Sequence, residues 1–250
     1  MKFFISQLEV SLSILIFKCQ SRISQIIKDL LFANISLLKS QFIPIKSQIT
    51  LENEYNFDDL KMYFENELSK GLSKEKKIHT FRIETDSIHP AAICIIKKNK
   101  DLIESYLGKN FLFEPPMYWR NFNIDKQYAS YDIISNVWHQ DSHDGNRMLK
   151  IFLLVNDTDE QDGPLIYLTR KDTIKNWPLL RERWSFDKGK GIKQFNCEEK
   201  LIGQKGNFLI VDTSRHMHRA SIPNNWRDLY QVSLYPRWRK TKVRNVYSAD

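Results

Sequence analysis

Four runs of β-branched, aromatic and leucine residues in the second half of the chain most constrain its fold. They are MLKIFLLVN (148–156), GPLIYLT (163–169), GNFLIVDT (206–213) and LYQVSLYPRW (229–238), with Asp, Asn, Gly or Pro at or near their ends. Short runs bounded by turn residues are typical of strands in an antiparallel sandwich or barrel. A chain of 250 residues, 42% of them hydrophobic, can bury such a core without disulfides or structural metals. The pattern therefore predicts a mainly β fold.

The first half of the chain has helical patterns instead. Apolar residues with mostly helical spacing, interspersed with basic ones, predict two amphipathic helices within residues 1–40. Two further helices are predicted over residues 58–72 and 90–106, the second with Pro at its permitted first-turn position. We therefore expect an N-terminal helical extension over residues 1–50 and one domain over residues 51–250.

The ends of the chain are basic. The net charge of +8 has its excess in residues 1–50 and 201–250. No nucleic-acid-binding signature accompanies it, so we expect no nucleic-acid partner. The N-terminal apolar run is interrupted by Glu9 and lacks a small-residue cleavage site, which predicts neither a secretory signal nor a membrane span. The two amphipathic helices predicted within residues 1–40 are expected to dock on their own domain, with contact to a membrane surface as the alternative.

The cysteines indicate a compartment. Cys19, Cys94 and Cys197 are widely separated and form no C-x-x-C pair. A disulfide framework and a zinc ribbon are therefore not predicted. A reducing cytoplasm is the expected location.

The segment WHQDSHD, residues 138–144, contains two His and two Asp after a strand-like run. Residues two apart in an extended chain project to the same face, so His139 and Asp141 can present an imidazole and a carboxylate side by side. These are two of the three ligands in a facial triad of two His and one carboxylate, which binds Fe(II) and leaves coordination positions open. His143 and Asp144 are expected to lie in the following turn. An isolated H-x-D is more often a surface turn, so the hypothesis needs a third ligand elsewhere.

The segment GNFLIVDTSRHMHRAS can supply that ligand, because His216 and His218 follow its apolar run. Nine residues beyond His218, Arg227 leads into the last predicted strand. Its guanidinium could hold a carboxylate through a planar two-point contact. Lys150, on the strand after the H-x-D, could assist an anionic ligand or could be an exposed strand lysine. The residue pattern alone leaves these alternatives open.

Taken in order, these motifs resemble the phytanoyl-CoA dioxygenase-like family of Fe(II)/2-oxoglutarate-dependent oxygenases. The resemblance covers roughly residues 131–238 and rests on WHxD, N-D-x-D-x-x-x-G-P-L, the glycine-led strand into Asp212 and Thr213, and HRASIPNNWR. It implies a double-stranded β-helix, a jelly-roll or cupin-like sandwich with the metal inside one mouth, here with N-terminal helices. Two elements depart from the family. YLTRKDT (167–173) stands where a turn with Gly, Ser and His is common, and the spacing from His218 to Arg227 is slightly shorter than usual.

The resemblance also implies a role for each candidate residue. His139, Asp141 and His218 would bind Fe(II), and Arg227 would hold the co-substrate 2-oxoglutarate. His218 is favoured over His216 because HRAS matches the family motif. The implied reaction is oxidation of a small organic substrate, an anionic one included, by O2, with succinate and CO2 as co-products. Related halogenases carry a small residue in place of the Asp, so Asp141 favours hydroxylation over halogenation.

Two other functions compete with this one. A non-catalytic jelly-roll protein could bind a metal or ligand without turning over a co-substrate. A protein that uses its basic ends to bind nucleic acid or a membrane surface would show binding that depends steeply on salt concentration. The complete set of His139, Asp141, His218 and Arg227 favours the enzyme.

Overall fold

The computed structural model describes residues 20, 23, 27, 42–51, 55–71, 80–123, 138–141, 147–176, 195–237 and 245–246. From residue 42 onward its helices are α1 (Asp58–Gly71), α2 (Pro90–Lys98), α3 (Lys100–Leu107) and α4 (Arg170–Asn176). Its strands are β1 (Ile45–Gln48), β2 (Thr80–Glu84), β3 (Leu112–Phe113), β4 (Met117–Phe122), β5 (Leu149–Leu154), β6 (Leu165–Leu168), β7 (Glu198–Leu201), β8 (Asn207–Val211), β9 (His218–Arg219), β10 (Trp226–Tyr235) and β11 (Asn245–Val246).

These strands form two antiparallel sheets. The larger sheet has eight strands in the order β1-β8-β5-β10-β3-β11, and β4 pairs with both β10 and β2. The smaller sheet has the order β7-β6-β9. The long strand β10 is central, because β5 lies along one edge while β4 and β3 lie along the other.

The two sheets face each other across an apolar layer. Alternate residues of the larger sheet pack there against alternate residues of the smaller one, as expected for strands that bury one face. The layer consists of Phe152, Leu154, Leu209, Val211 and Leu229 from the larger sheet and Leu165, Tyr167 and Leu201 from the smaller. The mainly β, jelly-roll prediction is therefore confirmed.

Helices α1, α2 and α3 cover the opposite face of the larger sheet. The intervening residues of its strands, such as Ile151, Ile210 and Val232, pack against fully buried residues such as Ile95 of α2 and Ile103 of α3. Each such side chain contributes roughly 1.5–3 kcal/mol when it is buried. These three helices therefore form the outer layer on one side of the larger sheet, and the polar residues described below lie on its other side, next to the apolar layer.

The larger sheet begins before residue 51. Strand β1 pairs with β8, and Ile49 N–H donates to Gly206 O at 3.0 Å. Gly206 has a φ of 92°, and a Cβ there would lie 1.9 Å from Ile49 O, so this glycine is required for the close approach. The division of the chain at residue 50 stays a prediction. The helices predicted within residues 1–40 fall almost wholly outside the described residues, of which 20, 23 and 27 are helical.

The helix predicted over residues 90–106 is present but is broken at Asn99. Helix α2 ends there and α3 begins at the next residue, because the Asn99 backbone departs from helical geometry at φ −113° and ψ 16°. Asn99 Nδ2 also donates to Ile95 O at 2.8 Å, which caps the end of α2. In the described part of the chain, no helix is both long enough and apolar enough to cross a membrane.

His89 caps the N-terminus of α2. Its Nδ1 accepts a hydrogen bond from Ala91 N–H at 3.2 Å, and its ring stacks on Phe57 with centroids 3.9 Å apart. Burial lowers the pKa of His89 below 6.5, and a hydrogen bond to the Asn56 backbone opposes this in part. The acceptor role requires an unprotonated Nδ1, so the cap depends on neutral His89.

We expect the free energy of unfolding to fall as the pH is lowered from about 7.5 to about 5, in part through His89. The folded pKa lies below the unfolded value of 6.5. The unfolded state therefore takes up the proton first, and this contribution to stability is lost between pH 6.5 and the folded pKa. Urea unfolding of His89→Asn at both pH values is the measurement, since Asn keeps a cap without titrating. An unchanged pH dependence in this variant would contradict the assignment.

Candidate metal centre

The backbone pairs His139 directly with His218. The two residues form an isolated antiparallel bridge, in which each N–H donates to the other's carbonyl oxygen at 3.0 Å. Residue 218 also lies opposite Tyr167 of β6, whose side chain faces the space between the sheets. Residues opposite each other in a bridge project to the same side, so both imidazoles point into that space. Their ring centroids lie 4.2 Å apart.

Asp141 joins the two histidines, as the H-x-D spacing predicts. Its backbone N–H donates to Thr213 O at 3.1 Å, which attaches this segment to the turn before β9. Its carboxylate has Oδ1 3.7 Å from His139 Nε2 and Oδ2 3.3 Å from His218 Nε2. One ligand atom from each of the three residues lies within 4.8 Å of the others.

This donor set fits a divalent transition metal. Three atoms bound at about 2 Å and at right angles around one ion lie about 3 Å apart, close to the separations of Asp141 from the two imidazoles. Two imidazoles and one carboxylate on one face leave the opposite face open to further ligands. The three residues could therefore hold such an ion and leave room for molecules to bind to it.

A second contact orients the ring of His218. Its Nδ1 lies 3.1 Å from His216 O, and because a carbonyl oxygen only accepts, Nδ1 must be the donor. When the ring is neutral, the lone pair is then on Nε2, the atom that faces Asp141. A hydrogen bond of this kind fixes the tautomer and the ring orientation of metal-binding histidines.

His216, the alternative distal ligand, lies outside the cluster. It is 1% exposed and lies in the turn before β9, with Nδ1 2.9 Å from Asp212 O. Burial lowers its pKa, which favours the neutral ring. His216 thus contributes its carbonyl oxygen to the orientation of His218, while His143 and Asp144 lie outside the described residues.

Lys150 reaches the triad from strand β5. Its Nζ lies 2.9 Å from Asp141 Oδ2, and its side chain is only 15% exposed, so it is not the exposed strand lysine considered above. Burial alone would raise the pKa of Asp141, but Lys150, His218 and His139 together hold it well below its usual range. The carboxylate is therefore ionised at neutral pH, which is the form that binds a metal.

Behind the triad lies a buried hydrogen-bond network centred on Asp212. Tyr106 Oη donates to Asp212 Oδ2, and Ser214 N–H donates to Oδ1 at 2.9 Å. The Asp212 carbonyl accepts the backbone N–H groups of Arg215 and His216 at 3.1 and 2.9 Å. Burial, and then the Asp212 charge, raise the pKa of Tyr106. This network orders the turn whose carbonyl oxygens hold Asp141 and His218.

Helix α4 supports the same turn from outside. Thr173 Oγ1 accepts from Met217 N–H at 3.1 Å, and Arg170 Nη1 donates to Arg215 O at 2.9 Å. This helix begins within the segment YLTRKDT, where the sequence departs from the family pattern. This departure indicated that the local structure here differs from that of the family. It did not reveal that Arg170 and Thr173 contact the turn beside the site.

Arg227 is fully buried at the start of β10, on the face that points between the sheets. Its Nη2 donates to Asn121 Oδ1 at 2.9 Å, and its Nη1 donates to Gly163 O. Burial lowers its pKa to about 10, against the opposing charges of Asp162 and Asp228. Nε has no hydrogen-bond partner among the described residues. Its role as the co-substrate anchor stays a prediction.

The acidic loop NDTDEQDGP is a hydrogen-bonded turn that connects β5 to β6. Asp159 Oδ1 accepts from Gln161 N–H at 2.6 Å and from Asp162 N–H at 3.1 Å, while Asp162 Oδ2 accepts from Asp159 N–H at 2.9 Å. The loop ends at Gly163, which has a φ of 66°. A Cβ there would lie 2.6 Å from Ser221 O, so glycine allows the two loops to pack closely.

No family model matches the sequence, and no curated protein matches it either. Several solved structures do resemble the fold. HygX from Streptomyces hygroscopicus, crystallised with nickel and 2-oxoglutarate, is 14% identical, with a TM-score of 0.51 over 78% of this chain and 83% of HygX. The ThoJ–nickel complex, described as a non-heme monooxygenase, is 13% identical (TM-score 0.44; 80% and 75% covered). SnoN, an α-ketoglutarate-dependent epimerase of nogalamycin biosynthesis, is 10% identical (TM-score 0.47; 77% of each chain). The chain therefore shares the overall fold of HygX, in agreement with the family resemblance in its sequence.

Proposed function

We propose that this protein is an Fe(II)- and 2-oxoglutarate-dependent dioxygenase, an oxidoreductase that hydroxylates a small organic substrate. The observation that carries the proposal is the convergence of His139, Asp141 and His218 from two separate segments. The donor set is the one that non-heme Fe(II) oxygenases use. A fold shared with a protein that binds nickel and 2-oxoglutarate supports the same conclusion by analogy.

Each residue has a defined task in this proposal. The two imidazoles present Nε2 to the ion, with His218 held by the carbonyl of His216. Asp141 supplies the negative charge, and its low pKa keeps that charge available at neutral pH. The bound Fe(II) would couple oxidative decarboxylation of 2-oxoglutarate by O2, which yields succinate and CO2, to insertion of the second oxygen atom into a substrate C–H bond. Asp141 fills the position that halogenases leave open, which supports hydroxylation.

The sequence assigns the anchoring of 2-oxoglutarate to Arg227. The absence of a partner for its Nε, among the residues that the structure describes, supports a role in binding. Its other two nitrogens are already engaged by Asn121 and Gly163. The protein is also proposed to reside in a reducing cytoplasm, in keeping with Cys94 and Cys197, neither of which forms a disulfide within the described residues.

Succinate formation tests the proposal. The purified protein is incubated with Fe(II), 2-oxoglutarate and O2, and succinate is quantified, since many such sites turn over 2-oxoglutarate slowly without substrate. We expect succinate that depends on all three components. Metal and ligand binding without any succinate would instead favour a non-catalytic jelly-roll binding protein. Binding of neither iron nor 2-oxoglutarate would contradict both functions.

We expect Asp212→Asn to weaken metal binding by about 10- to 100-fold, the usual effect of residues that orient ligands. An amide can place an N–H group against the hydroxyl of Tyr106 or the N–H of Ser214, which disturbs the turn that holds Asp141 and His218. The dissociation constant is measured by chelator competition with Mn(II). Asp101→Asn, on the exposed side of α3, is the control. A lower melting temperature with unchanged metal affinity would show that Asp212 stabilises the fold without positioning the ligands.

A further inference from the structure

Trp138 and Arg219 are the chain neighbours of the two histidines of the metal centre, and the proposed function gives neither of them a task. His139 and His218 face each other in a single antiparallel bridge, so residues 138 and 219 also stand opposite each other. Adjacent residues in an extended chain project to opposite faces. Since the imidazoles point between the sheets, Trp138 and Arg219 project from the reverse side of the same bridge.

The two side chains contact each other on that side. The Arg219 guanidinium carbon lies 5.3 Å from the centre of the Trp138 ring, within the range of a cation–π interaction. Trp138 is 6% exposed and Arg219 is 7% exposed, so water is largely excluded from the contact. Cation–π attraction is stronger between desolvated groups than at an exposed surface. The pair therefore adds a side-chain contact to the backbone bridge between the two segments.

The Trp138 ring belongs to an apolar cluster on the outer face of the smaller sheet. The cluster consists of Trp138, Ile166, Leu168 and Met217, with Phe195 and Cys197 packed against it. The rings of Phe195 and Trp138 meet edge to face, with centroids 5.5 Å apart. Leu168 N–H donates to Met217 O at 2.8 Å, which attaches the residue before His218 to β6. The ring therefore offers the guanidinium a fixed surface.

The other contacts of Arg219 are weak. Its Nη2 lies 3.8 Å from Glu198 Oε2, longer than a hydrogen bond, and its Nη1 lies 3.4 Å from Ala220 O. Its Nε has no hydrogen-bond partner among the described residues. An apolar side chain would fill the same place without the cost of burying a charge. What the guanidinium adds over an apolar group is its attraction to the Trp138 ring.

The pairing that this contact reinforces is short. Strand β9 has two residues, and it is joined to residues 138–141 by one bridge. A slip of one residue in such a pairing would turn an imidazole away from the space between the sheets. Side-chain pairs across two strands help to hold their register. The contact between Trp138 and Arg219 therefore opposes a movement that would separate the two histidines.

We propose that Arg219 and Trp138 are positioning residues for the metal centre, because their contact holds His139 and His218 at the separation that binds the ion. The inference rests on the proposed function, in which the two histidines are ligands. Neither side chain projects toward the ion, so each acts through the histidine beside it. The Trp of the W-H-x-D motif and the Arg of the HRAS motif thereby gain a physical role.

The test is a double-mutant cycle on metal affinity in the full-length protein. Arg219→Met removes the charge, and Trp138→Leu removes the ring but keeps an apolar group. We expect each to raise the Kd of Mn(II), measured by chelator competition, about tenfold, within the range for residues that orient ligands. The double variant should also lose about tenfold, where independent effects would give about 100-fold. Arg219→Lys, which keeps a cation, should stay within about threefold of the wild type.

A spectroscopic measurement separates positioning from general stability. The visible absorption spectrum of the Co(II)-loaded protein reports the geometry of the ligands. We expect the spectrum to change in Arg219→Met and to return toward that of the wild type in Arg219→Lys. Arg82→Met, which removes an exposed arginine from β2, is the control and should keep the wild-type Kd and spectrum.

Other outcomes overturn the proposal. A lower melting temperature with an unchanged Kd and Co(II) spectrum would show that the pair only stabilises the fold. Additive losses in the double variant would show that the two residues act separately. If Arg219→Met does not fold, Trp138→Leu is decisive by itself, and wild-type Mn(II) affinity in that variant refutes the proposal. A wild-type protein that binds neither Mn(II) nor Co(II) would instead contradict the proposed function itself.

Discussion

Replacing Asp141 with alanine is expected to raise the dissociation constant for Fe(II) or Mn(II) by more than about 100-fold, since loss of an orienting contact alone costs 10- to 100-fold. Succinate formation should fall to background. Asp141 is the acidic member of the triad, and its removal leaves two neutral imidazoles, which hold a divalent ion poorly without a charged ligand. Lys150 would also lose its partner and leave an unpaired ammonium group close to the metal, which disfavours binding further.

Two measurements distinguish this result from misfolding. Circular dichroism and the melting temperature of metal-free Asp141→Ala report whether the fold is retained. Asp86→Ala, which removes an exposed aspartate after β2, is the matched control and should keep wild-type metal affinity. If folded Asp141→Ala binds the metal as tightly as the wild type, the triad is not the metal site.

The second large effect is expected at Asp228, where Asp228→Ala should reduce the free energy of unfolding by about 3–5 kcal/mol. Asp228 is fully buried on β10 and accepts from Arg120 Nε at 2.6 Å, from Arg120 Nη2 at 2.8 Å and from Tyr118 Oη at 2.7 Å. Without it, the mostly buried Arg120 and the Tyr118 hydroxyl lose their buried partner between β4 and β10. Uncompensated buried charge is among the most destabilising changes a single substitution can make.

Glu65→Ala is the matched control, because Glu65 pairs with the same arginine at 2.6 Å from the surface side and is 52% exposed. Exposed pairs contribute at most about 1 kcal/mol, so Glu65→Ala should change stability by no more than that. Urea unfolding of the metal-free proteins, with the m-value compared between variants, measures both. Similar losses in the two variants would show that Arg120 does not depend on its buried partner.

Sequence reasoning brought His139 and Asp141 together by a local rule, whereas the choice of His218 as the third member of the cluster came from the family resemblance. The alternation of a strand places residues 139 and 141 on one face whatever lies around them. The apolar runs around residues 149–154 and 207–211 likewise predict buried strands, and both segments are strands in the structure. The sandwich followed from several such runs in succession.

The contacts that hold the cluster in place could not be predicted in this way, because each of them joins residues that are far apart in the sequence. Tyr106 and Asp212 are 106 residues apart, and no periodicity marks either one as the partner of the other. Lys150 looks like a solvent-facing strand residue until the register of β5 and β10 places it opposite Ser233. The break at Asn99 arises from the local backbone conformation of that residue, which helical spacing does not report.

The direct pairing of His139 with His218 has a mechanical consequence. These residues come from opposite ends of the segment that forms β5 to β8, so an ion bound by both would act as a cross-link that closes this segment into a loop. Unfolding would then require release of the ion, which adds about 2.7 kcal/mol of stability at a free metal concentration about 100-fold above Kd. The ion proposed to supply the chemistry would thus also stabilise the fold, and its removal would lower the stability of the protein as well as abolish the proposed activity.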